Sequence, residues 1–289
     1  MLTADQEAMK NKIIDWGKAQ AEVRVMILTS TLAISGGASD ILSDFDIILA
    51  LGDVRPFYER RDWLEGFGHV LALYRDPLVS ENGNLKSGYV IQFENGLKID
   101  FTLWEVAILQ RIIADEKLEP ELDAGYLVLL DKDHLTEELK PASFQAYLPK
   151  PPSSVEYQEA IEVFFLDITY VAKFLWRDDL VAAKHIHELL IQEHLLPMLE
   201  WHMEIEHGWS IKPGPYGRGI KKWLRSDLWV DLESIYTGSN LEDNWKALFR
   251  TIALMRKTAL EVAVEFGFTY PHELEDRVLA HINWVKSLV

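Results

Sequence analysis

The chain contains no cysteine among its 289 residues. Disulfide bonds, thiolate zinc sites and cysteine nucleophiles are therefore excluded. It also lacks any apolar run near the roughly 18 residues that a membrane span needs. The first residues, Met1-Leu2-Thr3-Ala4-Asp5, do not place an apolar region behind a basic one, so no signal peptide is expected. These absences predict a soluble, cytoplasmic protein without a membrane partner.

Positive charge is also scarce. The chain has 29 Lys and Arg against 46 Asp and Glu, which gives a formal net charge of -17. Nucleic-acid binders need basic surfaces to replace counterions, so DNA and RNA are not expected as partners. An acidic cleft would instead attract a cationic small molecule, although acidity also serves solubility.

Two aspartates stand out in what is present. A hydrophobic run at residues 25–28 leads into a small-residue turn at Ser30-Thr31, and after residues 32–43 come Asp44 and Asp46, at the head of a second hydrophobic run. Side chains at i and i+2 of a strand lie on one face, so both carboxylates can point to one place. Mg²⁺ prefers such oxygen ligands, usually together with substrate phosphates.

A third carboxylate follows on a predicted neighbouring strand. Residues 98–103 alternate polar and apolar, which places Asp100 on the polar face. Residues 89–93 precede it, and Asn95-Gly96 predicts a hairpin turn between the two strands. Asp-x-Asp pairs also occur in loops, where each Asp caps a turn. The upstream turn and Asp100 together favour metal ligands, as in a two-metal phosphoryl-transfer site.

The predicted fold class is α+β, with two domains. Prolines and serines at residues 148–154 interrupt both helix and strand. We predict an α/β domain with a mixed sheet over residues 1–148. Long amphipathic patterns at 155–176, 180–207, 241–266 and 272–288 predict an all-helical domain over residues 149–289.

Two further segments of the first domain are interpreted as loops. Residues 35–39 contain two glycines and are interpreted as a connector, with a second phosphate cradle as the alternative. Residues 75–88 are polar and interrupted by Pro77, Gly83 and Gly88, and are predicted to form a mobile loop.

A basic, glycine-rich stretch at residues 211–222 stands out in the acidic chain. Such a loop can bring Arg218, Lys221 and Lys222 to a triphosphate, with small residues permitting close approach. The alternative is a surface loop whose cations balance nearby acids.

Trp176, Asp178 and Asp179 combine an aromatic ring with carboxylates, which suits a polycationic sugar. The alternative is that Asp178 or Asp179 caps the helix predicted from Leu180.

Three motifs of the first domain resemble a known family. The sequences Leu28-Thr29-Ser30-Thr31, Leu42-Ser43-Asp44-Phe45-Asp46-Ile47 and residues 98–103 resemble the nucleotidyltransferase superfamily that includes DNA polymerase beta. More closely, they resemble the bacterial aminoglycoside 6-adenylyltransferases, or streptomycin adenylyltransferases. Residues 170–179 and 212–224 extend the resemblance over nearly the whole chain.

The resemblance implies a nucleotidyltransferase domain followed by an acceptor-binding domain. It implies Mg²⁺-dependent transfer of AMP from ATP to a hydroxyl of an aminoglycoside, with release of pyrophosphate. Asp44, Asp46 and Asp100 would hold the metals, with Asp100 as ligand or as general base. The remaining candidates for contact with the nucleotide are Ser30, Thr31 and Ser43. An acidic cleft between the domains would hold the cationic acceptor.

One position departs from the family pattern. Family members usually carry an arginine where this chain has Leu32, and leucine replaces neither its charge nor its forked donors. Arg218, Lys221 and Lys222 are candidates to compensate in part, and Leu32→Arg is predicted to tighten ATP binding. Two alternatives stay open: a catalytically weak protein that binds nucleotide or aminoglycoside, and an adenylyltransferase with a different acceptor.

Overall fold

A computed structural model describes residues 3–34, 39–212 and 214–288 of the chain. The chain divides into two compact units, Met1–Ala146 and Tyr147–Val289, and each is described by itself. The first contains a sheet with helices, and the second is helical. The α+β class with a mixed sheet followed by a helical region is therefore confirmed. The predicted connector at residues 35–39 lies almost entirely outside the described residues.

The first unit is built on a seven-stranded sheet. Its order is β3-β5-β6-β2-β1-β7, and β4 pairs with β5. Among the described strand pairs, only β2 and β6 run parallel. The strands are β1 (Val23–Thr29), β2 (Phe45–Leu51), β3 (Val70–Arg75), β4 (Val79–Glu81), β5 (Asn84–Phe93), β6 (Lys98–Glu105) and β7 (Tyr126–Asp131).

Helices accompany this sheet in the first unit. They are α1 (Ala4–Ala19), α2 (Ser30–Ala33), α3 (Arg55–Glu59), α4 (Val106–Ala114) and α5 (Pro120–Asp123), with a 3₁₀ turn at Asp62–Gly66. The Thr3 side chain accepts from the Gln6 amide, and the Gln6 side chain accepts from the Thr3 amide. This reciprocal capping fixes the start of α1.

The two faces of the sheet are covered differently. On one face, alternating residues of β6 such as Ile99, Phe101 and Leu103 enter a large buried core. On the other face, α4 packs near the ends of β2 and β6, where Ala50 and Trp104 are buried. The opposite end of this second face carries Asp46 and Asp100, which are only partly buried.

The prediction of a mobile loop at residues 75–88 is wrong. Strand β4 pairs with the first part of β5, and Glu81 lies opposite Asn84. The turn between them is Asn82-Gly83, and both residues have positive φ, at 52° and 85°. Asn-Gly in left-handed geometry is the favoured two-residue hairpin turn, so the local signal was present in the sequence.

The second unit is helical. Its helices are α6 (Ser154–Trp176), α7 (Leu180–Leu190), α8 (Leu196–His207), α9 (Ser226–Glu233), α10 (Leu241–Phe266) and α11 (His272–Ser287). The single helix predicted over residues 180–207 is interrupted by a π-helical segment, Ile191–Leu195. Helix α9 was not predicted. Over the described part of the chain, no helix is both long and apolar enough to cross a membrane.

Leu32 belongs to the core. Its side chain is 7% exposed and packs in the same cluster as Leu28 and Ile47. The physical role of this position is apolar packing, so an arginine there would bury a charge rather than simply add a phosphate ligand.

We therefore expect Leu32→Arg to lower the free energy of unfolding by about 3 kcal/mol, because a buried charge is left unpaired. Leu32→Met keeps the volume and should cost less than about 1.5 kcal/mol. Urea unfolding of both variants measures the difference. Equal stability of the arginine variant and the wild type would show that the side chain can leave the core.

Candidate active site

The parallel pairing of β2 with β6 brings two predicted site residues side by side. In this register Asp46 lies opposite Asp100. On the other side of Asp46, Thr29 at the end of β1 is its direct partner. Asp44 precedes β2 by one residue, on the same side of the chain as Asp46. The three predicted carboxylates therefore meet at one end of the sheet.

A lysine that the sequence interpretation had assigned no role lies between two of them. Lys98 Nζ donates to Asp44 Oδ2 at 2.7 Å and to Asp100 Oδ2 at 2.8 Å. Partial burial lowers the pKa of Lys98, but the hydrogen bonds to Asp100 and Asp44 outweigh it and leave that pKa above its ordinary value. The lysine is therefore a charged, internal counter-ion for the carboxylates. Its position two residues before Asp100 on an alternating strand was the signal for a shared face.

The negative charge of Asp46 is strongly disfavoured by its surroundings. Burial raises its pKa to about 6; a hydrogen bond from Ser30 opposes this shift, and the charges of Asp100 and Asp44 add to it. Burial also raises the pKa of Asp100, against the effect of Lys98. Both groups would become more stable as anions if a further cation entered the site.

Ser30 is held in an uncommon conformation. Its φ is 62°, in the left-handed region, and it is the first residue of α2. Such a conformation costs a non-glycine residue roughly 1–2 kcal/mol. In this conformation the Ser30 hydroxyl donates a hydrogen bond to the Asp46 carboxylate. Thr31 follows Ser30 in the same short helix, and its predicted contact with phosphate stays a prediction.

The loop before β2 is fixed by local hydrogen bonds. Gln6 of α1 donates to the Asp40 carbonyl at 2.8 Å, which ties the loop to the first helix. The Ser43 hydroxyl accepts from the Asp40 amide at 2.8 Å. Ser43 therefore supports the turn that leads to Asp44, and its predicted contact with the nucleotide stays a prediction.

The donor set agrees with a hard divalent cation. Three carboxylates supply oxygen ligands, as Mg²⁺ prefers. Asp100 Oδ1 is buried and has no hydrogen-bond partner among the described residues. Within the described ranges, no three acidic or histidine side chains already form a metal-binding group. Lys98 instead bridges Asp44 and Asp100, so a metal ion there would compete with its ammonium group.

The predicted basic residues lie in the helical unit. Arg218, Lys221 and Lys222 are all exposed. Lys221 lies over the Trp229 ring at 4.8 Å and within 3.8 Å of Glu233 Oε1. These contacts of Lys221 agree with the alternative of a surface loop whose cations balance nearby acids. The role of the three residues in phosphate binding stays a prediction.

The predicted acceptor residues also lie in the helical unit. Asp178 and Asp179 line an open cavity of about 570 Å³ beside the first turn of α7. Asp179 occupies the N-cap position of α7, but its side chain makes no capping hydrogen bond. Trp176 is 44% exposed, and its Nε1 donates to the Leu288 carbonyl. The carboxylates are thus available for a cation, and their role in acceptor binding stays a prediction.

Comparison with known proteins identifies the class as nucleotidyltransferase. The chain belongs to the streptomycin adenylyltransferase family, whose family model matches residues 3–285. It is 28% identical over 271 residues to an aminoglycoside 6-adenylyltransferase of Bacillus subtilis (strain 168), covering 92% of this chain and 93% of that protein.

Other relatives have the same name. An aminoglycoside 6-adenylyltransferase of Campylobacter jejuni is 25% identical, with 90% of this chain and 88% of that protein covered. A crystal structure of an aminoglycoside 6-adenyltransferase from Bacillus subtilis aligns with 99% of this chain and 100% of that chain, at 26% identity and a TM-score of 0.49. The predicted family and enzyme class are confirmed by the family match and the curated relatives.

Asp46 gives a pH-dependent prediction for the protein without metal. Its pKa is higher in the folded protein than its ordinary value of 3.8, so its charge destabilises the fold above about pH 6 and has no effect well below pH 4. In a chelating buffer at pH 7.5, Asp46→Asn should raise the free energy of unfolding by about 2 kcal/mol.

The gain should disappear as the pH falls from 6 to 4, as measured by urea unfolding at each pH. Asp53 is a matched control two residues beyond β2, because a hydrogen bond from Arg55 lowers its pKa. Asp53→Asn should therefore give no stabilisation. A pH-independent effect of Asp46→Asn would contradict the burial of this charge.

Lys98 gives a second prediction. Lys98→Met removes the cation that bridges Asp44 and Asp100, so Mg²⁺ affinity without nucleotide should rise about tenfold, the equivalent of one half-buried ion pair. Isothermal calorimetry measures this affinity. The control is Lys86→Met on β5, which removes an equal charge from a pair with Glu81 outside the site. Unchanged or weaker binding by Lys98→Met would show that the ammonium does not compete.

Proposed function

We propose that the protein transfers AMP from ATP to a hydroxyl of a streptomycin-like aminoglycoside, releasing pyrophosphate in a Mg²⁺-dependent reaction. The observation that carries the proposal is the convergence of Asp44, Asp46 and Asp100 at one end of a mixed sheet. Membership of an adenylyltransferase family supports the reaction class, and ATP as donor suits a protein of the cytoplasm.

Asp44, Asp46 and Asp100 would hold the magnesium. When bound there, the metal would neutralise charge on the phosphates and on the attacking and leaving oxygens. The protein's part is to keep the carboxylates ionised and close together. Lys98 does this without metal, and its side chain is 29% exposed, so it can turn outward when the metal binds.

Asp100 has two possible roles in the proposal. Its Oδ1 lacks a partner among the described residues and is free to bind a metal. Its raised pKa also suits a general base that takes the proton of the acceptor hydroxyl. Both roles need Asp100 beside Asp46, which the strand register supports.

On the nucleotide side, Ser30 and Thr31 would offer hydroxyl and amide donors to the β- and γ-phosphates. They belong to α2, directly after β1. Ser43 would complete this side through its turn. Arg218, Lys221 and Lys222 are the proposed source of positive charge, because the buried Leu32 supplies none.

The acceptor would be a polycationic sugar. The net charge of -17 favours such a ligand over an anionic one. Trp176, Asp178 and Asp179 are proposed to bind its ring and its ammonium or guanidinium groups.

A second candidate is a protein of this family that binds nucleotide or aminoglycoside with little transfer activity. Leu32 favours it, because the usual arginine is absent. A third keeps the chemistry with another small-molecule acceptor. The retained carboxylates favour the transferase, because binding alone would not need all three.

The test is pyrophosphate release by the purified protein with Mg-ATP, with and without streptomycin. We expect release that depends on streptomycin and on Mg²⁺. Asp46→Asn should reduce the rate about a thousandfold, corresponding to about 4 kcal/mol of lost transition-state stabilisation. Asp53→Asn should leave the rate unchanged.

Near-normal turnover by Asp46→Asn would refute the metal assignment. No release from the wild type, with ATP binding still measurable by calorimetry, would refute streptomycin as acceptor. A panel of other hydroxylated amines would then separate a different acceptor from a protein that only binds.

A further inference from the structure

The face of the sheet that carries the carboxylates continues uncovered beyond Asp100. In the register of the strands, Asp100 lies opposite Val90 of β5, and Val90 lies opposite Tyr74 of β3. Tyr74 is 61% exposed and Val90 is 38% exposed. These side chains share the face of Asp100, because directly paired residues point the same way. An aromatic ring and an aliphatic side chain thus extend from the candidate active site toward the sheet edge.

On β2 and β6 this exposure is limited to one end of the face. Further along the same face, Ala50 and Trp104 are buried in the core beneath α4. The helix begins at Val106 and packs at that end of β2 and β6. Large apolar groups are rarely left in solvent in rows without a reason. On β2 and β6, the uncovered part of this face is the end where Asp46 and Asp100 lie. On β4, Val79 is also exposed, in the row of Lys86 and Trp104.

The carboxylate of Asp76 lies over the same face of the sheet. A Cβ atom at Gly88 would lie only 2.7 Å from Asp76 Oδ2 and 3.3 Å from the Phe101 carbonyl oxygen. Gly88 and Val90 are two residues apart on β5 and therefore share a face. The missing side chain at Gly88 makes room for the Asp76 carboxylate, which belongs to an exposed residue.

The order of the strands gives this surface a direction. Ser30 and Thr31 follow β1, on one side of Asp46, whereas β6, β5 and β3 follow on the other side. In an in-line displacement, the attacking and leaving oxygens stand on opposite sides of the phosphorus. With the leaving pyrophosphate near Ser30 and Thr31, the attacking hydroxyl comes from the side of Asp100, Val90 and Tyr74.

We propose that Tyr74, Val90 and Asp76 form a binding subsite for the acceptor, an inference that rests on the proposed transfer reaction. Adjacent strands are about 4.8 Å apart, so Val90 lies about 5 Å and Tyr74 about 10 Å from Asp100 across the sheet. The interval of about 5 Å between neighbouring strands matches the width of one sugar ring. The acceptor ring that carries the reacting hydroxyl packs its apolar face on Tyr74 and Val90. One of its ammonium or guanidinium groups pairs with Asp76, and the hydroxyl reaches Asp100, while Trp176, Asp178 and Asp179 are left for the other rings and cationic groups of the acceptor.

The test compares steady-state kinetics and streptomycin calorimetry across a set of variants. Tyr74→Ala should raise KM and Kd for streptomycin about tenfold, because it removes the aromatic ring on which the acceptor packs. KM for ATP should stay unchanged. Tyr74→Phe should keep near wild-type values, since the ring remains. Leu127→Ala is the control, because Leu127 is an exposed apolar residue on the edge strand β7.

The carboxylate has its own pair of variants. Asp76→Asn should raise KM for streptomycin about fivefold, as expected for one exposed charge pair. Gly88→Ala should do the same by pushing the Asp76 carboxylate aside. Asp15→Asn, on the exposed side of α1, changes the net charge equally and should have no effect.

Unchanged KM and Kd for streptomycin in both Tyr74→Ala and Asp76→Asn would overturn the subsite. If the wild type still transfers AMP and Asp46→Asn does not, the proposed function survives that result. A rise in KM for ATP equal to the rise for streptomycin would also overturn it, because the surface would then bind the nucleotide. Failure of the wild type to bind or modify any aminoglycoside would overturn both proposals.

Discussion

The parallel pairing of β2 with β6 is the constraint on which the rest of the site depends. It sets Asp46 opposite Asp100 and, through the next strands, places Val90 and Tyr74 in the same row. The buried residues Ile99 and Phe101 on either side of Asp100 fix this register. A slip of one residue would turn Asp100 into the core and expose the apolar side chains. The packing of the buried face of the sheet therefore fixes the positions of the carboxylates on the other face.

The same arrangement brings the negative charges of three carboxylates together, which lowers the stability of the folded protein. Burial and neighbouring charges raise the pKa of Asp46 to about 6, so its ionised form is disfavoured. Lys98 offsets part of this repulsion by bridging Asp44 and Asp100. Sites that bind a cation commonly hold carboxylates in this way, because the bound cation returns the lost stability. Lys98 supplies positive charge to this site in the protein without metal.

The sequence predicted the parts of the structure that local patterns specify. The hydrophobic run that follows Asp44 is strand β2, and alternation around Asp100 identified both its strand and its polar face. The roles of Lys98 and Leu32 were not predicted, because they depend on contacts between residues that are distant in sequence. The ammonium of Lys98 gains its role from Asp44, 54 positions away, and Leu32 becomes a core residue only when α2 packs on the sheet. The β4–β5 hairpin is different, because its Asn82-Gly83 signal was present and was outweighed by the polarity around it.

In the proposed site, the three aspartates bind a metal ion in place of the Lys98 ammonium. A crystal structure with Mn²⁺ and a non-hydrolysable ATP analogue tests it most directly, because the anomalous signal of Mn²⁺ locates the metal. We expect metal within about 2.0–2.3 Å of oxygens from Asp44, Asp46 and Asp100, with Lys98 turned away from both of its present partners. Metal bound elsewhere, or a lysine still bridging Asp44 and Asp100 beside the bound nucleotide, would contradict it.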